Sequence, residues 1–289
     1  MTDHFRVSVV IPVYNAEKFV ARAVTSALDQ PEVAEVIVID DGYKDGALEI
    51  CKQLALQYSN VKLLQHPNGC NLGAGASRNL GILYSSSEYI AFLDADDYFL
   101  PERFAYTKRT FAENSSIDVV YEPVVTEMLT EHARAQYTKI PRRKCDHVEG
   151  EYISYPIVPL TGKKMFESFI LNNNDAPHTN GITIKKSLFA IAGLFNSSLR
   201  LHQDTELWVR LSYQGYFAPT ENHTKPVAVR TMHDENRVYH KTLTSKLLYY
   251  RALLTWATQV KLEKDLMAVL ISCHEKLLKA LTNQDQANL

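Results

Sequence analysis

The sequence lacks a basic excess and paired cysteines, and each absence argues against a class of protein. Its 289 residues carry 31 Lys and Arg against 33 Asp and Glu, whereas a nucleic-acid-binding protein usually shows a basic excess or a basic stripe. The four cysteines are scattered and form no C-x-x-C pair, which favours neither a zinc knuckle nor a disulfide framework. We therefore expect no nucleic-acid partner and ordinary reduced thiols.

A targeting segment and a long apolar run are also missing. The apolar stretch at residues 7–13 is too short and too close to the N-terminus for a signal peptide. No window approaches the roughly 20 apolar residues that a membrane helix needs. The sequence therefore predicts a cytoplasmic protein, with peripheral docking at the inner face of the membrane as an alternative location.

What the sequence does contain is typical of a globular protein. Hydrophobic residues make up 46% and charged residues 22% of the chain, and both values are close to the average for globular domains. A chain of this length buries a substantial core, either as one large α/β domain or as two smaller ones.

The N-terminal part alternates between strand and helix patterns. Apolar, β-branched runs of strand length occur at residues 7–13, 36–39, 61–64 and 89–93. Helical apolar spacing occurs between them, at residues 17–30, 47–58 and 73–84. Strands that alternate with helices in this way predict a parallel, doubly wound α/β sheet.

Polar residues cluster where these predicted strands end, at residues 14–15, 40–41 and 94–97. Ligands of open α/β sheets lie beyond the carboxyl ends of the strands, so we predict a binding crevice at this edge. There Tyr14 would offer an aromatic face to a base, and Asp41 would accept hydrogen bonds from a base or a ribose. Taken singly, a packing role for Tyr14 and a turn or cap role for Asp41 are equal alternatives.

Asp94-Ala95-Asp96 is the most informative of these segments. Two carboxylates separated by one residue at the end of a strand point to the same side. Clustered oxygen ligands suit Mg²⁺ or Mn²⁺, which commonly bind through one or two carboxylates plus substrate phosphates. A cation here would stabilise a departing diphosphate. A solvated turn is the usual explanation of an isolated motif of this kind, but its place after a fourth parallel strand favours a cation site.

The regular alternation of strand and helix patterns ends at about residue 111. A strand is predicted at residues 119–121, and a basic loop at residues 141–144 either is simply solvated or faces an acidic or lipid-diphosphate acceptor. Residues 150–226 have an irregular pattern, except for a predicted helix at 205–214 that Gly215 closes. One or two amphipathic helices are predicted at 243–281. We expect them to pack on the α/β part, with a membrane or dimer contact as the alternative.

Four ordered motifs resemble those of family 2 glycosyltransferases with the GT-A fold. They lie at residues 9–15, 38–42, 75–81 and 89–97. The resemblance implies an inverting enzyme that moves a sugar from a nucleotide-sugar donor, UDP-linked, to a hydroxyl group of a saccharide or lipid-linked acceptor. It also implies a place in polysaccharide or glycoconjugate synthesis and a requirement for Mn²⁺ or Mg²⁺.

The resemblance assigns roles to individual residues. The nucleotide-sugar-binding set that it implies is Pro12, Val13, Tyr14, Asn15, Asp41, Arg78, Asp94, Ala95 and Asp96. Within this set Tyr14 would border the nucleobase, Arg78 would line the nucleotide pocket and Asp96 would ligate the metal. For Arg78, a surface helix residue paired with a carboxylate is the alternative.

Residues 193–196 and 201–211 resemble the second-half pattern of the family, in which a Glu-Asp pair precedes a helix. Asp204 then occupies the position of the general base, although a plain helix N-cap at Asp204 is compatible with this role. His233 resembles a histidine that completes the metal site in some relatives, with an ordinary satisfied histidine as the alternative. Gln203 and Tyr43 depart from the family pattern, where Glu and Ser are more usual.

These observations predict a GT-A domain at residues 1–236 and a helical extension at residues 237–289. The domain divides into a nucleotide-sugar half, about 1–115, and an acceptor half, about 116–236; a homodimer is an open possibility. A nicotinamide enzyme is disfavoured because Arg78 stands where the third glycine of its fingerprint would be.

Two alternative functions stay open. An inactive nucleotide-sugar-binding or scaffolding protein would be expected to lack the metal or base carboxylate, yet Asp94, Asp96 and Asp204 are all present. A sugar-nucleotidyltransferase would ordinarily carry a glycine-rich, basic phosphate loop after the first strand, and residues 12–15 do not form one.

Overall fold

Four parallel strands from the start of the chain lie side by side in a computed structural model. The model describes residues 5–42, 44–138, 147–148, 151–156, 158–172, 176–236 and 242–287. The strands are β1 (Val7–Val13), β2 (Val33–Asp40), β3 (Val61–Gln65) and β4 (Tyr89–Phe92). β1 pairs in parallel with both β2 and β4, and β2 pairs in parallel with β3. The predicted doubly wound parallel sheet is therefore confirmed.

Helices connect these strands, as the apolar spacing predicts. They are α1 (Val20–Leu28), α2 (Ala47–Gln57) and α3 (Ala74–Tyr84). α1 begins three residues later than the pattern suggests, and it buries Val20, Ala23, Val24 and Ala27. This i, i+3, i+4, i+7 spacing is that of a helix with one face on a sheet.

The second half of the chain adds shorter elements. In the described part of the chain they are β5 (Tyr98–Phe99), α4 (Ala105–Glu113), β6 (Val119–Tyr121), β7 (Val124–Met128), α5 (Glu131–Tyr137), β8 (His147–Val148), β9 (Glu151–Ser154), α6 (Gly162–Leu171), β10 (Ile182–Lys185), α7 (Leu188–Ala192), α8 (Gln203–Gln214), β11 (Phe217–Pro219) and β12 (Ala228–Met232). The expectation of an irregular region at residues 150–226 is therefore wrong, because several of these elements lie within it.

The larger sheet has the strand order β11-β6-β10-β4-β1-β2-β3. β10 runs antiparallel to both of its neighbours, β4 and β6, whereas the other described pairs of this sheet are parallel. The order of the strands reverses between β1 and β4, which is where a doubly wound sheet opens a crevice.

A smaller sheet covers one side of this crevice. Its described strands follow the order β5-β12-β7-β9-β8, with β12 parallel to β7 and antiparallel to β5. β5 lies just after the Asp94-Ala95-Asp96 segment, and β12 ends just before His233. The smaller sheet therefore brings the two parts of the predicted metal site together.

Both faces of the larger sheet are buried. Along β1, Val10 belongs to one apolar cluster, with Trp208, while Val9 and Ile11 belong to another, with residues of α1 and α2. This alternation follows from the period of two in a strand. Because a parallel sheet is covered on both faces, its strands are continuous apolar runs rather than alternating ones.

Two helices end the described chain, α9 (Leu243–Gln259) and α10 (Lys264–Ala287). As expected, they pack on the α/β part, since α9 contacts α8 and α10 contacts α6. Leu253 and Leu270 are buried in the same cluster as Trp208. Among the described residues, no helix is both long enough and apolar enough to cross a membrane. The basic stretch 142–144, Cys145 and Tyr43 lie outside the described residues.

Candidate active site

A cleft of about 590 Å³ opens at the carboxyl ends of β1 and β4. All of the side chains to which the sequence assigned a role line it: Pro12, Val13, Tyr14, Asn15, Asp41, Arg78, Asp94, Ala95, Asp96, Asp204 and His233. They come from both halves of the chain, so folding brings together residues more than 200 positions apart. Their proximity agrees with the predicted site, whereas their individual roles stay predictions.

The cleft begins where β1 ends. The carbonyl group of Val13 accepts a hydrogen bond from the backbone N–H of Asp41 at 2.8 Å, so the ends of β1 and β2 are held side by side. Asn15 adopts a positive φ of 51°, which turns the chain away from the sheet. The Tyr14 side chain is 39% exposed, and an accessible ring at the mouth of a cleft is suited to stacking on a planar base.

Asp41 is largely engaged by the protein itself. Its Oδ1 accepts hydrogen bonds from the backbone N–H groups of Leu72 at 2.7 Å and Gly73 at 2.9 Å, and His66 Nε2 lies 3.7 Å away. Gly73 has a φ of +91°, and a Cβ atom there would lie 2.5 Å from Arg200 Nη1. Asp41 therefore positions the turn that leads into α3, which agrees with the turn or cap role that the sequence left as an alternative.

Arg78 is buried rather than on the surface, so that part of the alternative interpretation is wrong. Its side chain is 4% exposed, and its Nη2 donates a 2.5 Å hydrogen bond to Asp94 Oδ1. The guanidinium carbon lies 5.4 Å from the centre of the Phe195 ring. This ion pair joins α3 to the end of β4 and leaves Asp94 partly exposed to the cleft.

Asp97 links the segment after β4 to the smaller sheet. It is 2% exposed and accepts 2.6 Å hydrogen bonds from Asn180 Nδ2 and from the backbone N–H of Thr231. Burial raises the pKa of Asp97 well above its usual value, and the nearby charges of Asp96 and Asp94 raise it further. Asp97 thus has a structural role, because it connects two segments through buried hydrogen bonds. The sequence did not identify its partner Asn180, since no local pattern marks that residue.

The side chains of Asp96 and His233 are in direct contact at the wall of the cleft. His233 Nε2 lies 3.1 Å from Asp96 Oδ2, which also accepts a 3.1 Å hydrogen bond from Asn236 Nδ2. The His233 ring stacks on Phe19 with ring centroids 5.1 Å apart. The backbone N–H of Glu235 donates to His233 Nδ1 at 3.3 Å, so in the neutral ring the proton is on Nε2, facing Asp96.

The chemistry of this pair fits a divalent cation bound with a diphosphate. Mg²⁺ and Mn²⁺ sites of this kind use one or two protein ligands and complete their shell with phosphate oxygens and water. Within the described residues there is no group of three or more His, Cys, Asp or Glu side chains arranged around a common point. Asp96 and His233 would be the protein ligands of such a cation, and ligation by His233 Nε2 would require the ring proton to be on Nδ1.

Asp204 lies in the first turn of α8 and not at its N-cap, which corrects the N-cap interpretation. The N-cap is His202, which has a positive φ of 61°. Asp204 Oδ1 accepts a 2.8 Å hydrogen bond from the backbone N–H of Thr205. A carboxylate in the first turn of a helix is stabilised in its ionised form by the helix dipole, which suits a group that accepts a proton.

The end of α8 also differs in detail from the prediction. Gly215 does follow the last helical residue, but its φ is −125°, which is extended backbone and not the left-handed region. A Cβ atom at this position would lie 2.8 Å from the methyl carbons of Leu188 and 3.2 Å from Asp118 Cβ. Close packing of neighbouring chains, rather than a left-handed cap, explains the glycine.

His178 lines the same cleft and was not singled out from the sequence. Its Nδ1 accepts a 3.3 Å hydrogen bond from the backbone N–H of Asn180. The pKa of His178 is lowered to about 4, because burial disfavours the charged ring and Arg230 repels it, against the opposing effect of Asp94 and Asp204. A single histidine in an irregular segment carries no sequence signal, since only the fold brings it to the cleft.

Comparison with known families agrees with this geometry. The model of glycosyl transferase family 2 matches residues 8–167, more than half of the chain. The chain belongs to this family. The predicted family is thereby confirmed, and the matched residues include the ends of β1, β2 and β4 that form one wall of the cleft.

Several relatives of the family 2 chain align over less than half of its length. The Escherichia coli protein named as uncharacterized glycosyltransferase YibD is 38% identical over 120 residues, which are 41% of this chain and 34% of that protein. A poly(ribitol-phosphate) beta-glucosyltransferase of Bacillus spizizenii is 35% identical over 114 residues, which are 38% of this chain and 18% of that protein. The alignments thus span no more than about a third of either relative.

Solved structures resemble the family 2 chain over almost its whole length. TarS residues 1–349 from S. aureus, crystallised with UDP-GlcNAc, matches with a TM-score of 0.64 at 17% identity, over 94% of this chain and 71% of that one. At this identity the likeness concerns the fold alone. It confirms the GT-A architecture that the sequence motifs predict.

Proposed function

We propose that this chain is an inverting, cation-dependent glycosyltransferase that uses a UDP-linked sugar donor. The observation that carries the proposal is the meeting of Asp96, His233 and Asp204 in one cleft at the carboxyl ends of the parallel strands. A site for a diphosphate and a carboxylate for proton transfer are the two requirements of a single-displacement sugar transfer.

The donor part of the proposal rests on β1, β2 and α3. Tyr14 would stack on the base, while Pro12, Val13, Asn15 and Ala95 would shape the walls with their backbone. The carboxylate of Asp41 accepts hydrogen bonds from backbone N–H groups, but it has further lone pairs. One of these would accept a hydrogen bond from the base. TarS, which has a similar fold, was crystallised with UDP-GlcNAc, and this supports a UDP-linked donor.

The cation would be held by Asp96 and His233. It would neutralise charge that develops on the departing diphosphate. The imidazole ligand favours Mn²⁺ over Mg²⁺, because Mg²⁺ prefers oxygen ligands. The Arg78–Asp94 ion pair lies beside this position and would orient Asp94 toward the ribose or the donor sugar.

Asp204 would act as the general base. Its carboxylate would take the proton of the acceptor hydroxyl group while that oxygen bonds to the anomeric carbon and the bond from that carbon to the diphosphate oxygen breaks. Attack opposite the leaving group inverts the anomeric centre, and no covalent intermediate with the protein is needed. The acceptor would be a saccharide or a lipid-linked glycan, reached at the membrane surface in the latter case.

The relative named as a poly(ribitol-phosphate) beta-glucosyltransferase supports a role in the synthesis of a polysaccharide or glycoconjugate. The alignment leaves most of that relative unmatched, so the acceptor is proposed only as a class.

The Asp204→Asn variant tests the proposed base. The variant should bind UDP like the unaltered protein but lose about 10²-fold to 10⁴-fold in kcat, because the amide accepts no proton. The measurement is UDP release from a panel of UDP-sugars with Mn²⁺, alongside calorimetric binding of UDP. Asp265→Asn is the matched control, since Asp265 also lies in the first turn of a helix, α10, but far along the chain from the cleft residues.

The Asp96→Asn variant tests the cation site. Asp96→Asn should raise the Mn²⁺ concentration needed for half-maximal UDP release, since one charged ligand is lost.

Full activity of Asp204→Asn would contradict the base assignment. UDP-sugar binding without any turnover would instead favour the inactive binding protein, and unchanged metal dependence of Asp96→Asn would remove the cation from the proposal.

A further inference from the structure

His178 sits on a rigidly held turn at the wall of the cleft. Before it, the carbonyl group of Pro177 accepts a 3.2 Å hydrogen bond from Trp208 Nε1. After it, the fully buried Asn180 donates to Asp97, and its carbonyl group accepts from Arg103 Nε at 3.1 Å. Because the chain is held on both sides of His178, its backbone has a defined position at the wall of the cleft.

The hydrogen bonding of the His178 ring fixes its tautomer. Nδ1 accepts the backbone N–H of Asn180, so in the neutral ring Nε2 carries the proton and is a donor. The neutral form is the relevant one, because burial and Arg230 lower the pKa of His178 to about 4. Among the described residues, no hydrogen bond from His178 Nε2 to another side chain is formed.

The surroundings of His178 point to the part of a ligand that it meets. His178 lines the same cleft as Asp94 and Asp204, and the backbone N–H of Asp94 donates a 3.2 Å hydrogen bond to Oδ1 of Asn180, two residues after His178. In the proposed function Asp94 faces the donor sugar and Asp204 faces the acceptor hydroxyl group, so the transferred sugar occupies the part of the cleft that these two residues and His178 line. A sugar offers hydroxyl oxygens as acceptors, which complement a neutral N–H donor.

We propose that His178 binds the transferred sugar and helps to select it, with Nε2–H donating a hydrogen bond to one sugar oxygen. The inference rests on the proposed function and adds a specificity residue to it. A donor that a bound sugar shields from water discriminates between sugars, because an analogue that lacks the oxygen leaves the donor without a partner.

Two isosteric variants separate the two ring nitrogens. His178→Gln places an amide donor near the position of Nε2, whereas His178→Asn places an amide near Nδ1 and offers no donor at Nε2. The measurements are kcat/KM for the UDP-sugar that the unaltered protein turns over fastest, KM for the acceptor, and the affinity for UDP alone. Thermal unfolding verifies that each variant is folded.

We expect His178→Asn to lose about tenfold or more in kcat/KM for the UDP-sugar, as the loss of a buried hydrogen bond implies. UDP affinity and acceptor KM should stay within about twofold, and His178→Gln should retain most of the activity. Deoxy analogues of the donor identify the partner oxygen. Removing that oxygen from the donor should lower kcat/KM of the unaltered protein as much as His178→Asn lowers kcat/KM for the normal donor. When His178→Asn is given the deoxy donor, kcat/KM should fall little further.

Equal losses in UDP affinity or in acceptor KM would overturn the inference, since the contact would then lie elsewhere. A His178→Gln variant as impaired as His178→Asn, or a His178→Asn variant with unaltered kinetics, would also overturn it. Those results leave the proposed function intact. An unaltered protein that turns over no UDP-sugar would instead overturn both proposals together.

Discussion

At the residue scale, environment gives different roles to carboxylates of similar chemistry. Asp94 pairs with Arg78, Asp96 faces His233, and Asp97 is buried between Asn180 and Thr231. Residues 94–97 form a turn rather than the extended segment that the spacing suggests, because the backbone N–H of Asp97 donates a 3.0 Å hydrogen bond to the carbonyl group of Asp94. This turn leaves Asp94 and Asp96 at the cleft and buries the side chain of Asp97. Four consecutive residues therefore include two carboxylates that line the cleft and one that stabilises the fold through buried hydrogen bonds.

A different carboxylate, Glu35, joins neighbouring segments at the amino ends of the parallel strands, on the side of the sheet away from the cleft. Its Oε1 accepts hydrogen bonds from Ser8 Oγ at 2.6 Å and from the backbone N–H of Ser86 at 2.6 Å, and Lys62 Nζ lies 2.6 Å from its Oε2. Burial alone would raise the pKa of Glu35, but these partners outweigh burial and lower it to about 2. Glu35 thus connects the beginnings of β1 and β2 with the turn before β4.

This network predicts a pH-dependent contribution to stability. Since the pKa of Glu35 is lower in the folded than in the unfolded state, the stabilisation is present above about pH 4.5 and is lost as the pH falls toward 2. Glu35→Gln should therefore lower the free energy of unfolding by on the order of 1 to 3 kcal/mol at pH 7, because solvent weakens the contribution of the half-exposed Lys62. The difference should be smaller at pH 3. Urea unfolding at several pH values measures it.

Glu113→Gln is the control for this series, because Glu113 is exposed on α4. It should change the unfolding free energy by less than about 0.5 kcal/mol. A Glu35→Gln effect of the same size at pH 3 and pH 7 would show that the ionised network is not what stabilises the fold.

At the element scale, the beginning of α8 is supported by α9. His202, the N-cap of α8, adopts the left-handed conformation that non-glycine residues rarely use. Its Nε2 lies 3.2 Å from Ser245 Oγ, and its ring centroid lies 5.6 Å from that of Tyr249. The turn that carries Asp204 is therefore held in place by the first helix of the C-terminal extension.

Ser245 has two tasks, which a pair of variants separates. It forms a capping box with Thr242 at the start of α9, and it contacts His202. Ser245→Ala and Thr242→Ala should each lower the unfolding free energy by about 1 kcal/mol, since each removes half of the capping box. Only Ser245→Ala should also lower kcat, on the order of tenfold, because only it releases the turn that positions Asp204.

The measurements are urea unfolding and UDP release at saturating donor. Equal kcat values for the two variants would mean that the contact with His202 has no influence on the position of Asp204. A lower UDP affinity in Ser245→Ala alone would assign the contact to the donor part of the cleft.

At the scale of the whole molecule, the C-terminal helices complete the core. Leu253 of α9 is 1% exposed and lies in the same apolar cluster as Trp208, whereas Leu248 of the same helix is 46% exposed. Leu253→Ala should lower the unfolding free energy by about 2 to 5 kcal/mol because it leaves a cavity. Leu248→Ala, the matched control, should change it by less than about 0.5 kcal/mol.

Trp208 and Trp256 are the two tryptophans of the chain, one in α8 and one in α9. In a Trp256→Phe variant the remaining fluorescence comes from Trp208 and reports on the α/β part. In a Trp208→Phe variant it comes from Trp256 and reports on the C-terminal helices. If the molecule unfolds as one cooperative unit, the two transitions coincide in urea. An earlier transition of Trp256 would show that α9 unfolds independently.

The parts of this architecture that the sequence predicts are those with a local signal. β1 and β2 are apolar runs of strand length, and α1 shows the spacing of a one-sided helix, so neighbouring residues are sufficient to identify them. β10 and β11 were missed because they have three or four residues and depend on distant partners. Thr183 in β10, for example, pairs with Ala91 in β4. β11 even ends in Pro219, which an edge strand tolerates.

By itself, the sequence determined the alternating strands and helices, the family, and the residues at the strand ends, because these follow from short-range periodicity and contiguous motifs. The tertiary structure alone decided which distant side chains share the cleft. It placed His178 on its wall, gave Asp97 and Asn180 their buried contact, and set Ser245 against His202. These contacts depend on the crossing of separately folded segments, and no spacing along the chain encodes their distances.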